Sequence, residues 1–124
     1  LGCHLDADNI PLIPAIAGSR LDLIEAFTPQ PDCDMTVAMA RQAWPDKILW
    51  CNFPSSVHLS DEATIAATAR QMAREAGAGR RFLIGVTEDI PEPHLWRSLG
   101  VLAEALGDSK DIAAAPLLQN ICRE

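Results

Sequence analysis

The stretch that decides the fold is Lys47-Ile48-Leu49-Trp50-Cys51-Asn52-Phe53, which is followed by the loop Pro54-Ser55-Ser56. Its apolar, β-branched and aromatic residues run almost without polar interruption, a pattern typical of a parallel strand that is covered on both faces. We therefore predict a buried central strand at this position. Because parallel α/β folds bind their ligands at the carboxyl ends of the strands, we expect a site near Asn52 and the Pro-Ser-Ser loop.

Composition limits the classes of protein to which the chain can belong. With 124 residues, it is long enough for one domain and too short for two, so residues 1–124 are predicted to form a single domain. A net charge of −7 argues against nucleic-acid and anionic-membrane partners, because both need clustered Lys and Arg. No apolar run reaches the roughly 18 residues of a membrane span, and no signal peptide is visible. The four cysteines form no C-x-x-C pair, which predicts cytoplasmic thiols.

Predicted strands and helices alternate along the chain and are joined by short connections. This alternation requires a parallel sheet with right-handed crossovers. There is no G-x-G-x-x-G and no P-loop motif, so neither a dinucleotide nor a nucleotide phosphate site is indicated. Four such β/α units predict half of an eight-stranded TIM barrel. The strands are expected at residues 1–5, 21–27, 47–53 and 81–86, and the helices at residues 11–17, 35–43, 61–76, 93–106 and 110–124.

The sequence also predicts which residues cap the helices and which cysteine, histidine and tryptophan side chains are buried. Asp32 or Asp34 is predicted to cap the second helix, and Ser60 the third. Cys51 is expected to be an inert buried thiol and His58 a structural histidine. The three tryptophans are predicted to lie in the core or between layers; they are Trp44, Trp50 and Trp96.

Four acidic or imidazole side chains fall near predicted strand ends: His4, Asp6, Glu25 and Glu88. His4 and Asp6 are two residues apart on an extended segment, so both side chains can point to the same side of the sheet, at the carboxyl end of its first strand. Together with Glu25 they can hold a divalent metal such as zinc through nitrogen and oxygen ligands, or act as acid and base on a substrate. Alternatively, the histidine and the aspartate cap a turn and the first helix, and the glutamates are solvated.

Asn52, Ser55 and Ser56 are predicted to bind a substrate at the same end of the sheet. The alternative is that these residues only close the loop, because Asn, Pro and Ser favour turns in any fold.

The chain resembles the carboxyl-terminal half of the uroporphyrinogen decarboxylase-like superfamily of TIM barrels, which includes corrinoid-linked methyltransferases and is related to cobalamin-independent methionine synthase. The resemblance covers roughly residues 1 to 107 and depends on the order and spacing of several segments. These are His4-Leu5-Asp6, Leu21-Asp22-Leu23-Ile24-Glu25, Leu49-Trp50-Cys51-Asn52-Phe53-Pro54, Phe82-Leu83-Ile84-Gly85 and Glu88-Asp89-Ile90-Pro91. It implies a decarboxylase-like lyase or a methyltransferase-like enzyme, and Glu25 matches the glutamate that accompanies the H-x-C motif of methionine synthase.

The chain also departs from that family. Asp6 stands where the methyltransferase branches have the cysteine of H-x-C, and Val86 or Thr87 stands where they have the second cysteine. True decarboxylases of the family have Gly-His at the last strand, whereas this chain has Gly85-Val86. A thiolate zinc site and porphyrinogen decarboxylation by this chain alone are therefore not expected.

Three functional hypotheses follow. The first is an enzyme that acts on a small organic substrate and requires that the missing half of the barrel be supplied. The second is a non-catalytic half-barrel that closes by forming a homodimer or by pairing with a complementary amino-terminal half, because an open sheet leaves an apolar inner face and two bare edges. The third is a small flavodoxin-like binding module, although the acidic segment His4-Leu5-Asp6-Ala7-Asp8-Asn9 does not suit its phosphate loop.

Overall fold

The computed structural model describes residues 1–77, 81–86 and 90–107. Glu88, Thr87 and the predicted helix at 110–124 lie outside the described residues. The strands are β1 (Gly2–His4), β2 (Leu23–Phe27), β3 (Ile48–Asn52) and β4 (Phe82–Gly85). The helices are α1 (Ile13–Ala17), preceded by a 3-10 turn (Ile10–Leu12), and then α2 (Val37–Ala43), α3 (Ser55–His58), α4 (Glu62–Ala76) and α5 (Glu92–Gly107).

The four strands form one parallel sheet in the order β1-β2-β3-β4. This confirms the predicted α/β class and the parallel sheet. One row of paired residues runs across all four strands, through His4, Glu25, Trp50 and Leu83. The neighbouring row, which contains Ile24 and Leu49, points to the opposite face of the sheet because side chains alternate along a strand.

The helices within residues 1–77, 81–86 and 90–107 cover only one face of this sheet. Ile24 and Leu49 belong to the same buried cluster as Val37 of α2, Ile65 of α4 and Leu102 of α5. The prediction of a central strand covered on both faces was therefore wrong. Sequential parallel strands joined by right-handed crossovers carry all their helices on the same side, so the second face stays open unless the sheet closes on itself.

We call the face that carries the row His4, Glu25, Trp50 and Leu83 the open face, and its apolar side chains near the middle of the sheet are exposed. Trp50 is 41% exposed although β3 has a partner strand on both sides, and Leu83 of β4 is 46% exposed. Trp96 on α5 is 75% exposed, so the prediction of a core or interlayer position was wrong for both tryptophans. For Trp44, which is buried, the prediction is confirmed.

Two helix caps differ from the prediction. The Thr36 side chain accepts a hydrogen bond from the Met39 backbone N–H at 3.1 Å and caps α2. Asp61, not Ser60, caps α4 by accepting from the Thr64 N–H at 2.7 Å. Asp34 accepts from backbone N–H groups at the first helical turn, and is therefore unavailable to α2.

Burial makes the Cys51 thiol inert, as predicted. Its side chain lies fully inside the core on β3, and this burial raises the pKa of the thiol to about 12. Thiolate is the reactive form, so Cys51 is not a nucleophile.

The described part of the chain contains no helix with the length and apolar character needed to cross a membrane.

Candidate functional site

A histidine and a glutamate meet on the open face, near the carboxyl ends of β1 and β2. His4 Nδ1 lies 2.6 Å from Glu25 Oε2, and the two residues are direct partners in the sheet register. Both side chains remain accessible from the open face, since His4 is more than half exposed and Glu25 about one third exposed. The structure thus brings together two of the predicted site residues as a hydrogen-bonded pair.

This pair favours the charged form of the imidazole. The hydrogen bond with Glu25 raises the pKa of His4, and Asp6 raises it by a smaller amount, because Asp6 Oδ2 lies 3.4 Å from Nε2. Since Nδ1 is engaged by Glu25, Nε2 is the ring nitrogen from which a proton can pass to a ligand. The raised pKa stabilises the folded state at pH values below the ordinary value of 6.5, and this contribution is lost as the pH rises through the folded-state pKa.

We expect Glu25→Gln to lower the pKa of His4 toward 6.5, because the hydrogen bond with the Glu25 carboxylate is the largest cause of the upward shift. The measurement is an NMR titration of the His4 ring protons. Asp6→Asn is the matched control and should lower the pKa by less. A His4 titration curve that is unchanged in Glu25→Gln would contradict the geometry.

A backbone irregularity follows Glu25 directly. The register between β2 and β3 shifts between Glu25 and Phe27, and the intervening Ala26 has a φ of 59°. A left-handed conformation costs a non-glycine residue roughly 1–2 kcal/mol. Bulges of this kind occur next to active sites, where they redirect a side chain. The Ala26 carbonyl accepts a long hydrogen bond of 3.5 Å from the Asn52 side-chain amide, which links the bulge to the end of β3.

Trp50 and Asn52 of β3 lie on the open face beside the His4–Glu25 pair. A Cβ atom placed on Gly85 would lie 2.8 Å from Trp50 Nε1 and 3.3 Å from Asn52 Oδ1, so the indole lies closely over Gly85. Only glycine permits this approach. The open face therefore offers an aromatic surface and an amide beside the His4–Glu25 pair, because Trp50 is paired with Glu25 across β2 and β3.

Ser55 and Ser56 are held by an aspartate that the sequence analysis assigned to a helix cap. Asp32 accepts from Ser55 Oγ at 3.0 Å, from the Ser56 N–H at 3.1 Å and from Ser56 Oγ. The hydrogen bonds from Ser56 and Ser55 lower the pKa of Asp32, against an opposing effect of burial that is the largest single influence. The predicted loop serines are thus the first two residues of α3, where they bind Asp32 of the segment after β2, and their substrate-binding role stays a prediction.

The three residues proposed as metal ligands do not form a metal site. Among residues 1–77, 81–86 and 90–107, no group of three or more His, Cys, Asp or Glu side chains has an arrangement that suits a metal ion. His4 Nδ1 and the Glu25 carboxylate are bonded to each other, and Asp6 is at a longer distance. In this arrangement the three side chains contact one another, and we derive no chemistry from a metal.

His58 is a buried structural residue, as expected. Its Nδ1 lies 2.5 Å from Ser98 Oγ on α5, and its ring packs against Phe53 with the centroids 4.8 Å apart. Burial lowers the pKa of His58. No pattern in the sequence predicted that Ser98, forty positions away, would be the hydrogen-bond partner of His58.

A cavity of about 260 Å³ lies elsewhere, between the loop after β2 and helices α2 and α4. Pro31, Thr36, Met72 and Glu75 are among its lining residues, and none of its lining residues is on the open face. It is smaller than the roughly 300–1,000 Å³ of typical small-molecule sites. We take the His4–Glu25 pair as the better candidate because it joins two of the predicted site residues on the open face.

Comparison with known proteins adds no identity to this geometry. No family model, no curated protein and no solved structure matches the chain.

Proposed function

We propose that this chain is the carboxyl-terminal half of a uroporphyrinogen decarboxylase-like TIM barrel, and that it acts on a small organic substrate through the His4–Glu25 pair. The observation that carries the proposal is the 2.6 Å contact between His4 and Glu25 on the open face of a parallel sheet. The carboxyl ends of the strands are where enzymes with this architecture place their catalytic groups.

The pair suits the chemistry of a decarboxylase-like lyase. In that reaction the bond between a carbon and its carboxylate breaks, CO2 leaves, and the electron pair remains on the carbon. The His4 imidazolium then gives its Nε2 proton to that carbon, while Glu25 holds Nδ1 and stabilises the charged ring. The indole of Trp50 and the amide of Asn52 line the surface on which the substrate would lie.

Methyl transfer has weaker support. The methyltransferase branches of the resembled superfamily use a zinc thiolate site, whereas this chain has Asp6 at the cysteine position and no suitable metal-binding group among the described residues. The acid–base hypothesis needs only groups that are already in contact.

The proposed enzyme needs the open face to be covered, because catalytic groups gain strength where water is excluded. A second copy or a complementary amino-terminal half-barrel can supply this cover. Cys3, Cys33 and Cys51 are free thiols, which supports the cytoplasm as the compartment.

The test is release of CO2 from a panel of 3-oxo acids, aromatic carboxylic acids and heteroaryl-acetic acids. We expect His4→Gln to reduce turnover by about 10²–10⁴-fold, the usual contribution of a general acid or base. His94→Gln is the matched control, because His94 lies on α5 and its ring contacts Arg97 rather than the His4–Glu25 pair. Equal rates for His4→Gln and the wild type would refute the role of His4.

A second candidate function is a non-catalytic half-barrel that exists to assemble. Exposure of Trp50 and Leu83 favours it, since exposed apolar groups clustered on one face mark interaction surfaces. Absence of CO2 release from the whole panel by an assembled protein would favour this alternative.

A further inference from the structure

We propose that the cavity of about 260 Å³ between the loop after β2 and helices α2 and α4 is a second binding site, and that its ligand is a small primary amine with a compact apolar body. The cavity lies on the side of the sheet that the helices cover, and none of its lining residues belongs to the open face. The proposal is therefore independent of the His4–Glu25 pair and of whatever covers the open face.

Three segments of the chain form the walls of the cavity. On α4 the lining residues follow the spacing i, i+3, i+4 and i+7, which places side chains on the same side of a helix. They are Thr68, Gln71, Met72 and Glu75. The start of α2 contributes Val37, and the loop after β2 contributes Pro29 and Pro31. Because proline fixes its own backbone φ, the loop wall is stiff and a ligand does not have to order it.

The charge of the cavity selects a cationic ligand. Glu75 is the charged residue among those that line it, and its carboxylate accepts from the Ala38 N–H at 3.1 Å and from Gln71 Nε2 at 2.8 Å. A carboxylate has about four lone-pair sites, so two are left for a ligand. Within the described residues, no Lys, Arg or His forms an ion pair with Glu75. A ligand that supplies this positive charge makes charge-assisted hydrogen bonds, which are roughly twice as strong as neutral ones.

The neutral polar groups of the cavity favour a ligand that donates several hydrogen bonds. Gln30 Nε2 donates to the Asp34 carbonyl at 3.2 Å, and Gln71 Nε2 donates to Glu75. Since these amide N–H groups are engaged by the chain itself, the two amide oxygens are left as acceptors. Thr68 adds a hydroxyl oxygen. A primary ammonium has three N–H donors, which matches one carboxylate together with neutral acceptors.

The apolar lining and the volume limit the body of the ligand. Pro29, Val37 and Met72 are buried, and methionine adapts its shape to what it contacts. A cavity of about 150 Å³ holds benzene, whereas drug-sized ligands need roughly 300–1,000 Å³. A volume of about 260 Å³ therefore suits a single ring with one short ammonium arm. Gln30 and Gln71 are exposed lining residues, so the cavity is open to a ligand from solvent.

The test titrates the wild-type protein with benzylammonium, benzyl alcohol and benzoate, which have similar size and different charge, in about 0.15 M salt to screen distant charges. The backbone amide signals in two-dimensional NMR report the binding. We expect benzylammonium to shift the signals of Thr36, Val37 and Met72 with a dissociation constant of about 1 mM. Benzyl alcohol should bind at least about 10-fold more weakly, because it makes neutral hydrogen bonds, and benzoate should not bind. Equal binding of benzylammonium and benzyl alcohol, shifts confined to the open face, or no binding of benzylammonium at about 10 mM would overturn the proposal.

Two isosteric substitutions on α4 separate this site from the general negative charge of the protein. Glu75→Gln removes the carboxylate charge, while its amide oxygen still accepts from the Ala38 N–H, and it should weaken benzylammonium binding by about 10-fold or more. Glu62→Gln, at an exposed position in the first turn of α4, is the matched control and should leave the binding unchanged. Equal effects of the two substitutions would refute the site. The comparison of the three probes on the wild type does not depend on how either variant folds.

Discussion

Trp44→Ala is expected to lower the free energy of unfolding by about 3–5 kcal/mol, the range for removing a large aromatic side chain from a core. Trp44 is 1% exposed at the end of α2, and its ring meets Phe27 edge-on with the centroids 6.2 Å apart. Its indole N–H also donates to the Ile13 carbonyl at 3.3 Å, so truncation leaves both a cavity and an unpaired acceptor. Urea denaturation followed by circular dichroism measures the loss.

Trp96→Ala is the control for this experiment. Trp96 is 75% exposed on α5, and surface substitutions usually change stability by less than about 0.5 kcal/mol. If the two alanine variants lost similar stability, the assignment of Trp44 to the core would be wrong.

His58→Ala should be the second strongly destabilising substitution, at about 2–5 kcal/mol near pH 8, because it empties a fully buried site. The ring fills the space between Phe53 and α5, and its loss leaves the Ser98 hydroxyl without its imidazole partner. His94→Ala, at a half-buried position in the first turns of α5, should have a smaller effect and serves as the control.

The effect of His58→Ala should shrink as the pH falls. Burial lowers the pKa of His58 from its ordinary value of 6.5, while the nearby Asp32 carboxylate partly opposes the shift. The unfolded chain therefore binds more protons, so the stabilising contribution of the neutral ring is present above 6.5 and is lost as the pH falls below that value. The measurement is the melting temperature of the wild type and of His58→Ala at several pH values. A stability difference that is constant with pH, or that grows in acid, would refute it.

Much of the fold could be predicted from local patterns. Hydrophobic periodicity and the turn residues placed β2, β3, β4, α4 and α5 within a few positions of their observed bounds. Alternation of the elements was enough to predict a parallel sheet. The positions of His4 and Glu25 near strand ends also predicted that the two side chains would come together, and they form the central contact of the site.

Helix caps were less predictable because an aspartate can serve any nearby donor. Asp32 and Asp34 both precede α2, yet they accept hydrogen bonds from residues more than twenty positions away, at Ser56 and Asn9. Thr36 then caps α2 in their place. Short-range cap patterns describe what a side chain can do, while the folded chain decides which donor is closest.

The sequence by itself determined the order of the elements and the residues that lie at the carboxyl ends of the strands, because these depend on interactions between near neighbours. Only the tertiary structure decided that Trp50 is exposed, that Ser98 is the partner of His58, and that one face of the sheet is open. An apolar strand has the same pattern whether a helix, another strand or a second chain covers it. The choice depends on contacts between distant segments and on crossover handedness, and neither is visible in the pattern of a single strand.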